Sequence, residues 1–164
     1  MRNKLLLLFM VLSMVLSACG GATPTPTAPP PAAAEPAAVL LDFHGFGHDA
    51  AGLRQHSGFR ALSEQANLLA VYPQGLPVHL LNRDAPGWEI FRIEDNREVK
   101  FVRALLEDVG RHYCIDPSRV YATGFSNGAF LSHILGCVLA DRIAAIAPVS
   151  GGDLTVSCMP SRPV

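Results

Sequence analysis

Along this chain, apolar residues alternate between short unbroken runs and stripes at helical spacing. Residues 39–43 form a mostly apolar run of strand length that stops at His44-Gly45-Phe46-Gly47. Leu53, Phe59, Leu62 and Ala66 then fall on one face of a helix expected between Asp49 and Asn67, and residues 68–72 read as a second buried strand closed by Pro73 and Gly75. From Gln74 to Glu94 the pattern lapses into a polar, irregular stretch holding His79, Asn82, Arg83, Gly87 and the sole Trp88, a length that predicts a functional surface loop. Val99, Val102, Leu105, Leu106 and Val109 recur at helical spacing, with Lys100, Arg103, Glu107, Asp108 and Arg111 on the opposite face. Residues 120–123 predict a third strand. Phe130, Ile134, Val138 and Leu139 predict the inward face of a following helix, and residues 143–149 predict a fourth strand. Strands apolar on both faces need helices on both sides, so the alternation predicts an α/β fold with a parallel sheet. Ligands of such sheets sit at the carboxyl ends of the strands.

The first 38 residues follow different rules. Arg2 and Lys4 open the chain, and residues 5–16 are apolar but too few to cross a bilayer as an ordinary helix. Leu16-Ser17-Ala18-Cys19 resembles the lipobox of a bacterial lipoprotein signal peptide. That resemblance implies removal of residues 1–18 and lipidation of Cys19, and so an exported protein anchored to the outer face of a bacterial membrane or cell envelope. Residues 20–38 carry six prolines and almost no charge, which reads as an extended spacer after Cys19. Residues 39–164 remain for the fold.

Charge and cysteines narrow the function classes. With 13 Lys+Arg against 14 Asp+Glu and no basic cluster, there is no electrostatic footprint for nucleic acid. Export would place Cys114, Cys137 and Cys158 in a disulfide-permissive compartment, and Cys137 with Cys158 is the expected pair. No CxxC or Cys/His cluster suggests a metal site.

The candidate chemistry lies at Gly124-Phe125-Ser126-Asn127-Gly128, between the third strand and the helix after it. A serine at the apex of a strand-to-helix turn, flanked by glycines where a side chain would collide, is a G-x-S-x-G nucleophile elbow. Ser126 is therefore the expected covalent nucleophile. The expected oxyanion donors are the backbone N–H groups of Asn127 and of Phe46, the latter in the loop His44-Gly45-Phe46-Gly47; Gly124 and Gly128 shape the elbow.

From Val39 to about Val164 the sequence resembles the esterases grouped with polyhydroxybutyrate depolymerases and feruloyl or acetylxylan esterases, within the α/β-hydrolase superfamily. The residues that carry this are Leu41-Asp42-Phe43-His44-Gly45-Phe46-Gly47, Val71-Tyr72-Pro73-Gln74-Gly75, Gly87-Trp88, the run from Cys114 to Gly128, and Ala144 to Gly151. The resemblance implies ester hydrolysis on polymer or plant-cell-wall esters, with no metal or organic cofactor. It also implies a triad aspartate in a Gly-Thr-x-Asp setting and a histidine near the carboxyl end. Neither is identifiable here, and the family's opening strand pair is missing too. The chain thus reads as a partial α/β-hydrolase domain, incomplete at both ends, with little activity of its own. Asp153 follows the fourth strand, where this family does not keep its acid; His79, in the long loop, is the histidine freest to approach Ser126. Where the family often has paired aspartates, Arg97-Glu98 is expected to affect helix capping only. Two other readings stand beside this one: an α/β-hydrolase peptidase, and a lipid-anchored binding protein that keeps the scaffold without turnover.

Overall fold

The computed structural model describes residues 35–93, 95–152 and 158–164. Cys19, its lipobox and Asp153 lie outside the described residues. A four-stranded parallel sheet is built from β1 (Ala37–Phe43), β2 (Leu68–Val71), β5 (Ile115–Phe125) and β6 (Ala145–Val149), in the spatial order β2-β1-β5-β6. Val39, Leu41 and Phe43 are fully buried, as are Leu131, Ile134 and Leu135 of the helix packed against them. Each such side chain contributes about 1.5–3 kcal/mol by leaving water.

The order of the strands fixes where a site can form. From β1 the chain moves to β2 on one side; from β5 it moves to β6 on the other. Right-handed crossovers running in opposite directions place their helices on opposite faces of the sheet. Helices α1 (Ala50–His56) and α2 (Phe59–Gln65) thus cover one face, and α4 (Asn127–Val138) covers the other beside α3 (Arg97–His112). The loops leaving β1 and β5 diverge at this switch point and leave a crevice between them. These are the loops that hold His44–Gly47 and Ser126.

Several elements differ from the sequence pattern. β1 starts at Ala37, two residues inside the segment read as spacer, because Ala37 pairs with Ile115 and its N–H donates to Cys114 O. The single helix expected between Asp49 and Asn67 is two short ones, parted where Gly58 takes φ 78°. β2 is half-buried throughout rather than buried, since it is an edge strand. β5 begins at Ile115, five residues before the expected third strand. Its register jumps from Ala37↔Ile115 to Val39↔Val120, so residues 116–119 loop out. Asp116 closes that loop by accepting from Ser118 and Arg119, bonds that pull its carboxyl down to about 2. β6 starts at Ala145 rather than residue 143.

The expected loop after Gln74 contains a hairpin, β3 (Pro77–Leu80) and β4 (Arg83–Pro86), turned by Leu81 and Asn82 at φ 53° and 58°. Two successive positive φ angles make the tight turn whose twist suits a hairpin. Phe130 and Val138 of α4 are only half-buried; Leu131, Ile134 and Leu135 point inward, with the small Gly128, Ala129, Ser132 and Gly136 also buried. A helix enclosed on more than one side has no single apolar stripe to read. Cys137 and Cys158 are joined by a disulfide.

Candidate active site

Ser126 stands between the end of β5 and the start of α4 at φ 52° and ψ −112°, a conformation costly for a residue with a side chain. The surrounding backbone holds it there. The Ser126 N–H donates to Val149 O at 2.9 Å, and Ser126 O accepts from Ala129 N at 2.9 Å and Phe130 N at 3.2 Å. The flanking glycines are required by contact. A Cβ on Gly124 would lie 2.6 Å from the Gly128 carbonyl carbon and 2.8 Å from Phe43 O, and one on Gly128 would collide with the Phe43 carbonyl. The ends of β1 and β5 and the first turn of α4 meet there with backbone alone.

The loop after β1 presses on this elbow. A Cβ on Gly45 would come within 3.2 Å of Phe125 Cδ1 and 3.4 Å of Phe125 O. Among the described residues, no hydrogen bond takes up the backbone N–H of Phe46 or of Asn127. A first-turn helical N–H such as that of Asn127 has no partner within its own helix and can serve an anion. A cavity of about 430 Å³ opens beside the loop, lined by Gly45, Gly47, His48, Leu53, His56 and Phe125.

Beneath the loop is a buried polar network for which the sequence pattern assigned no roles. The Gly75 N–H donates to His44 Nε2 at 2.9 Å, so Nε2 is unprotonated and the proton sits on Nδ1, which donates to Gly45 O at 2.9 Å. Gln74 supports the same ring: its Nε2 is 3.2 Å from His44 Nε2, and its Oε1 accepts from Ala50 N at the start of α1 at 3.0 Å. Burial pushes the His44 pKa below its ordinary 6.5, in keeping with a neutral ring. Trp88 Nε1 donates to His44 O at 2.8 Å, and the indole meets Phe43 edge-on with centroids 5.2 Å apart. The Asn127 side chain closes the network: Oδ1 accepts from Trp88 N at 2.7 Å and Nδ2 donates to Trp88 O at 3.1 Å. Asn127 thus presents its N–H to the elbow while its side chain clamps Trp88. Tyr72-Pro73-Gln74-Gly75 and Gly87-Trp88 were visible as family-like motifs, but nothing in their spacing indicates that they converge on His44.

The other histidines are dispersed. His79 is on the exposed hairpin, 3.0 Å from Asp84, rather than in a free loop. His56 and His112 bond to carbonyls one turn back in their own helices, those of Gly52 and Asp108. His133 lies beside Cys137 and Cys158 in the later half of α4. His48 is exposed, and its Cδ2 lies 3.6 Å from the Cβ position of Gly45, on the wall of the cavity next to Phe125. None of the six histidines hydrogen-bonds to Ser126 among the described residues. Asn96 caps α3 through Oδ1, while buried Glu98 accepts from Arg97 Nε and the Glu89 N–H. Glu98 therefore secures the segment after Trp88 rather than the helix end.

No protein-family model matches the chain. Curated relatives do. Feruloyl esterase B of Piromyces equi is 41% identical over 78 residues, covering 42% of this chain and 14% of that protein. Poly(3-hydroxyalkanoate) depolymerase C of Paucimonas lemoignei is 31% identical over 117 residues, 71% of this chain and 28% of that protein. A bifunctional acetylxylan esterase/xylanase of Neocallimastix patriciarum is 27% identical over 126 residues, 77% of this chain and 17% of that protein. The chain therefore spans between 14% and 28% of the length of these relatives. Among solved structures, the acetyl xylan esterase from Aspergillus awamori superposes with a TM-score of 0.62 at 16% identity, over 80% of this chain and 49% of that one. A Bacillus cereus carboxylesterase gives 0.57 at 17% identity, over 78% and 59%. The chain has the α/β-hydrolase fold and is related to feruloyl and acetylxylan esterases and polyhydroxyalkanoate depolymerases, as its sequence motifs implied.

Two outcomes are expected from the network. Asn127→Ala keeps the backbone N–H but strands the buried N–H and C=O of Trp88, and should lower stability by roughly 3 kcal/mol in urea unfolding; an unchanged midpoint would refute the clamp. His44 is held neutral, so its folded pKa lies below the unfolded one. Stability is full above about pH 6.5 and declines as pH falls below it, where the unfolded chain takes a proton that the folded chain refuses. An NMR titration of His44 with its midpoint at or above 6.5 would contradict this.

Proposed function

We propose that this chain carries the nucleophile of a serine carboxylic-ester hydrolase that acts on polyester or plant-cell-wall-type esters through an acyl-Ser126 intermediate. The observation that carries the reading is the strained elbow at Ser126 pressed against the loop of Phe46 at the switch point of the sheet. In the reaction, Ser126 Oγ attacks the ester carbonyl and the carbonyl oxygen gains negative charge. The N–H groups of Phe46 and Asn127 stabilise that charge, each worth about 3 kcal/mol in sites of this kind. The alcohol leaves, and water then releases the acid from Ser126. A base must take the serine proton, and an acid must orient the base. Because no histidine bonds to Ser126 among the described residues, residues 1–164 alone should turn over slowly.

The substrate class rests on the names of the relatives, whose feruloyl esterase, acetylxylan esterase and depolymerase activities all concern esters. These names favour the ester reading over the peptidase one. Placement at a membrane through a lipid on Cys19 is part of the same proposal and rests on Leu16-Ser17-Ala18-Cys19 and the proline-rich spacer. No described helix is long and apolar enough to cross a membrane.

Labelling by a fluorophosphonate probe and hydrolysis of 4-nitrophenyl acetate test the chemistry. The chain should label and turn over weakly, and Ser126→Ala should abolish labelling and reduce turnover to the uncatalysed background. Equal labelling of the two proteins would sink the nucleophile assignment and leave the non-catalytic scaffold in its place. For the anchor, Cys19→Ser should move the protein from the membrane fraction to the soluble exported fraction; unchanged membrane retention would refute lipidation as its cause.

A further inference from the structure

Arg83 opens β4 at the exposed end of the hairpin, and its guanidinium is held against the loop of Phe46. The Arg83 Cζ lies 4.8 Å from the centroid of the Phe46 ring. Its Nη2 comes within 2.9 Å of where a Cβ on Gly47 would stand, so the guanidinium occupies space that a side chain at position 47 would fill. The Gly47 N–H donates to Pro86 O at 2.8 Å, which ties the other end of β4 to the same loop. A guanidinium over an aromatic face keeps the donors on its rim free, in the planar fork that matches a carboxylate.

Among the described residues, no carboxylate lies within ion-pair distance of Arg83, and its neighbour Asp84 is engaged by His79 at 3.0 Å. Among the described residues Arg54, Arg92, Arg142 and Arg162 also lack such a partner, but none of them is stacked on a ring. Position is what distinguishes Arg83. A Cβ on Gly87 would meet Asn127 Oδ1 at 2.9 Å and Phe46 Cδ2 at 3.0 Å. Asn127, Gly87, Phe46 and the guanidinium therefore follow one another outward from the elbow, and the cation stands one aromatic ring beyond the proposed oxyanion loop.

We propose that Arg83 is a specificity-determining residue of the Ser126 site, binding a carboxylate carried by the ester substrate at a short distance from the scissile carbonyl. The preferred substrates are then acidic esters, in which a free carboxylate is anchored while the ester group meets Ser126. This rests on the ester-hydrolase reading, so the test includes a measurement that does not depend on turnover.

Two substrate pairs, in each of which the free carboxylate of one member is esterified in the other, place the carboxylate on either side of the scissile ester. They are 4-acetoxybenzoate with its methyl ester, followed by release of acetate, and monoethyl adipate with diethyl adipate, with rates taken per ester group. The full chain should favour the acidic member of at least one pair by about tenfold in kcat/KM. Arg83→Gln should erase that preference, Arg83→Lys should keep part of it, and Arg60→Gln, on the exposed surface of α2, should leave it intact. The preference should also shrink as ionic strength rises. A wild-type chain with no acidic preference, or an Arg83→Gln chain that keeps it, overturns the proposal. So does an Arg83→Gln chain that loses kcat equally on acidic and neutral esters, which would mean that the residue only positions the loop. Binding of 4-acetoxybenzoate to the Ser126→Ala chain, followed by ligand-observed NMR, separates this from the ester reading. Binding that weakens about tenfold with Arg83→Gln supports the site even if the chain hydrolyses nothing. Binding indifferent to Arg83 refutes it even if Ser126 is a working nucleophile.

Discussion

The closest constraint in this molecule is steric. The Phe43 carbonyl at the end of β1 faces Gly124 and Gly128 across a gap that admits no Cβ on either. Two neighbouring strands and the start of a helix can converge that tightly only where backbone meets backbone. The convergence has two consequences. It forces the residue between the glycines into the left-handed region at φ 52°, and it brings the loop after β1 against that residue. Strain of this kind persists only when its surroundings over-determine it. Here the over-determination is visible in the bonds to Val149, Ala129 and Phe130 that fix both peptide groups of Ser126.

The next layer outward is polar and works through a neutral histidine. His44 accepts from Gly75 and donates to Gly45, while its carbonyl takes the indole N–H of Trp88. One buried ring thus joins the loop after β1 to the segment after β2, and Asn127 joins that segment to α4. Each of these bonds satisfies a buried backbone or ring group, so shifting one element would leave an unpaired group on another. The loop of Phe46 is held from below by this network and from the side by the hairpin.

How much of this could be read from the sequence depended on whether local residues carried it. The strands showed as β-branched and leucine-rich runs, and the elbow showed because its glycines and serine sit at fixed spacing. The disulfide joins Cys137 and Cys158, the pair favoured among the cysteines of the fold, although an odd count of three does not by itself select it. The hairpin went unread because Leu81-Asn82 lacks the glycine that usually announces two positive φ angles in succession. The jump in register at Ile115 was hidden by Pro117, which made the strand seem to start only at residue 120, although Ile115 already pairs with Ala37 before the looped-out residues. The role of His44 was out of reach for a different reason. Its partners Gln74, Gly75 and Trp88 lie between 30 and 44 residues away, and convergence over that distance is a property of the sheet order rather than of any local pattern.

The same distinction separates what sets the chemistry from what surrounds it. Ser126 and the loop of Phe46 depend on the two central strands, whose ends are fixed by core burial and by glycine contacts. The segment from Gln74 to Trp88 is attached at a few points: His44, Gly47, Ala50 and Asn127. Between those points the hairpin is largely exposed, and Leu81 at its turn is solvent-facing. Side chains on the hairpin can therefore change with little effect on the elbow, as long as Gly75, Gly87 and Trp88 keep the attachments. Arg83 is the hairpin side chain that stacks on the Phe46 loop. A fold that fixes Ser126 through its sheet and hangs a cation on the Phe46 loop from a separate hairpin can change the side chains around the elbow without disturbing the elbow itself.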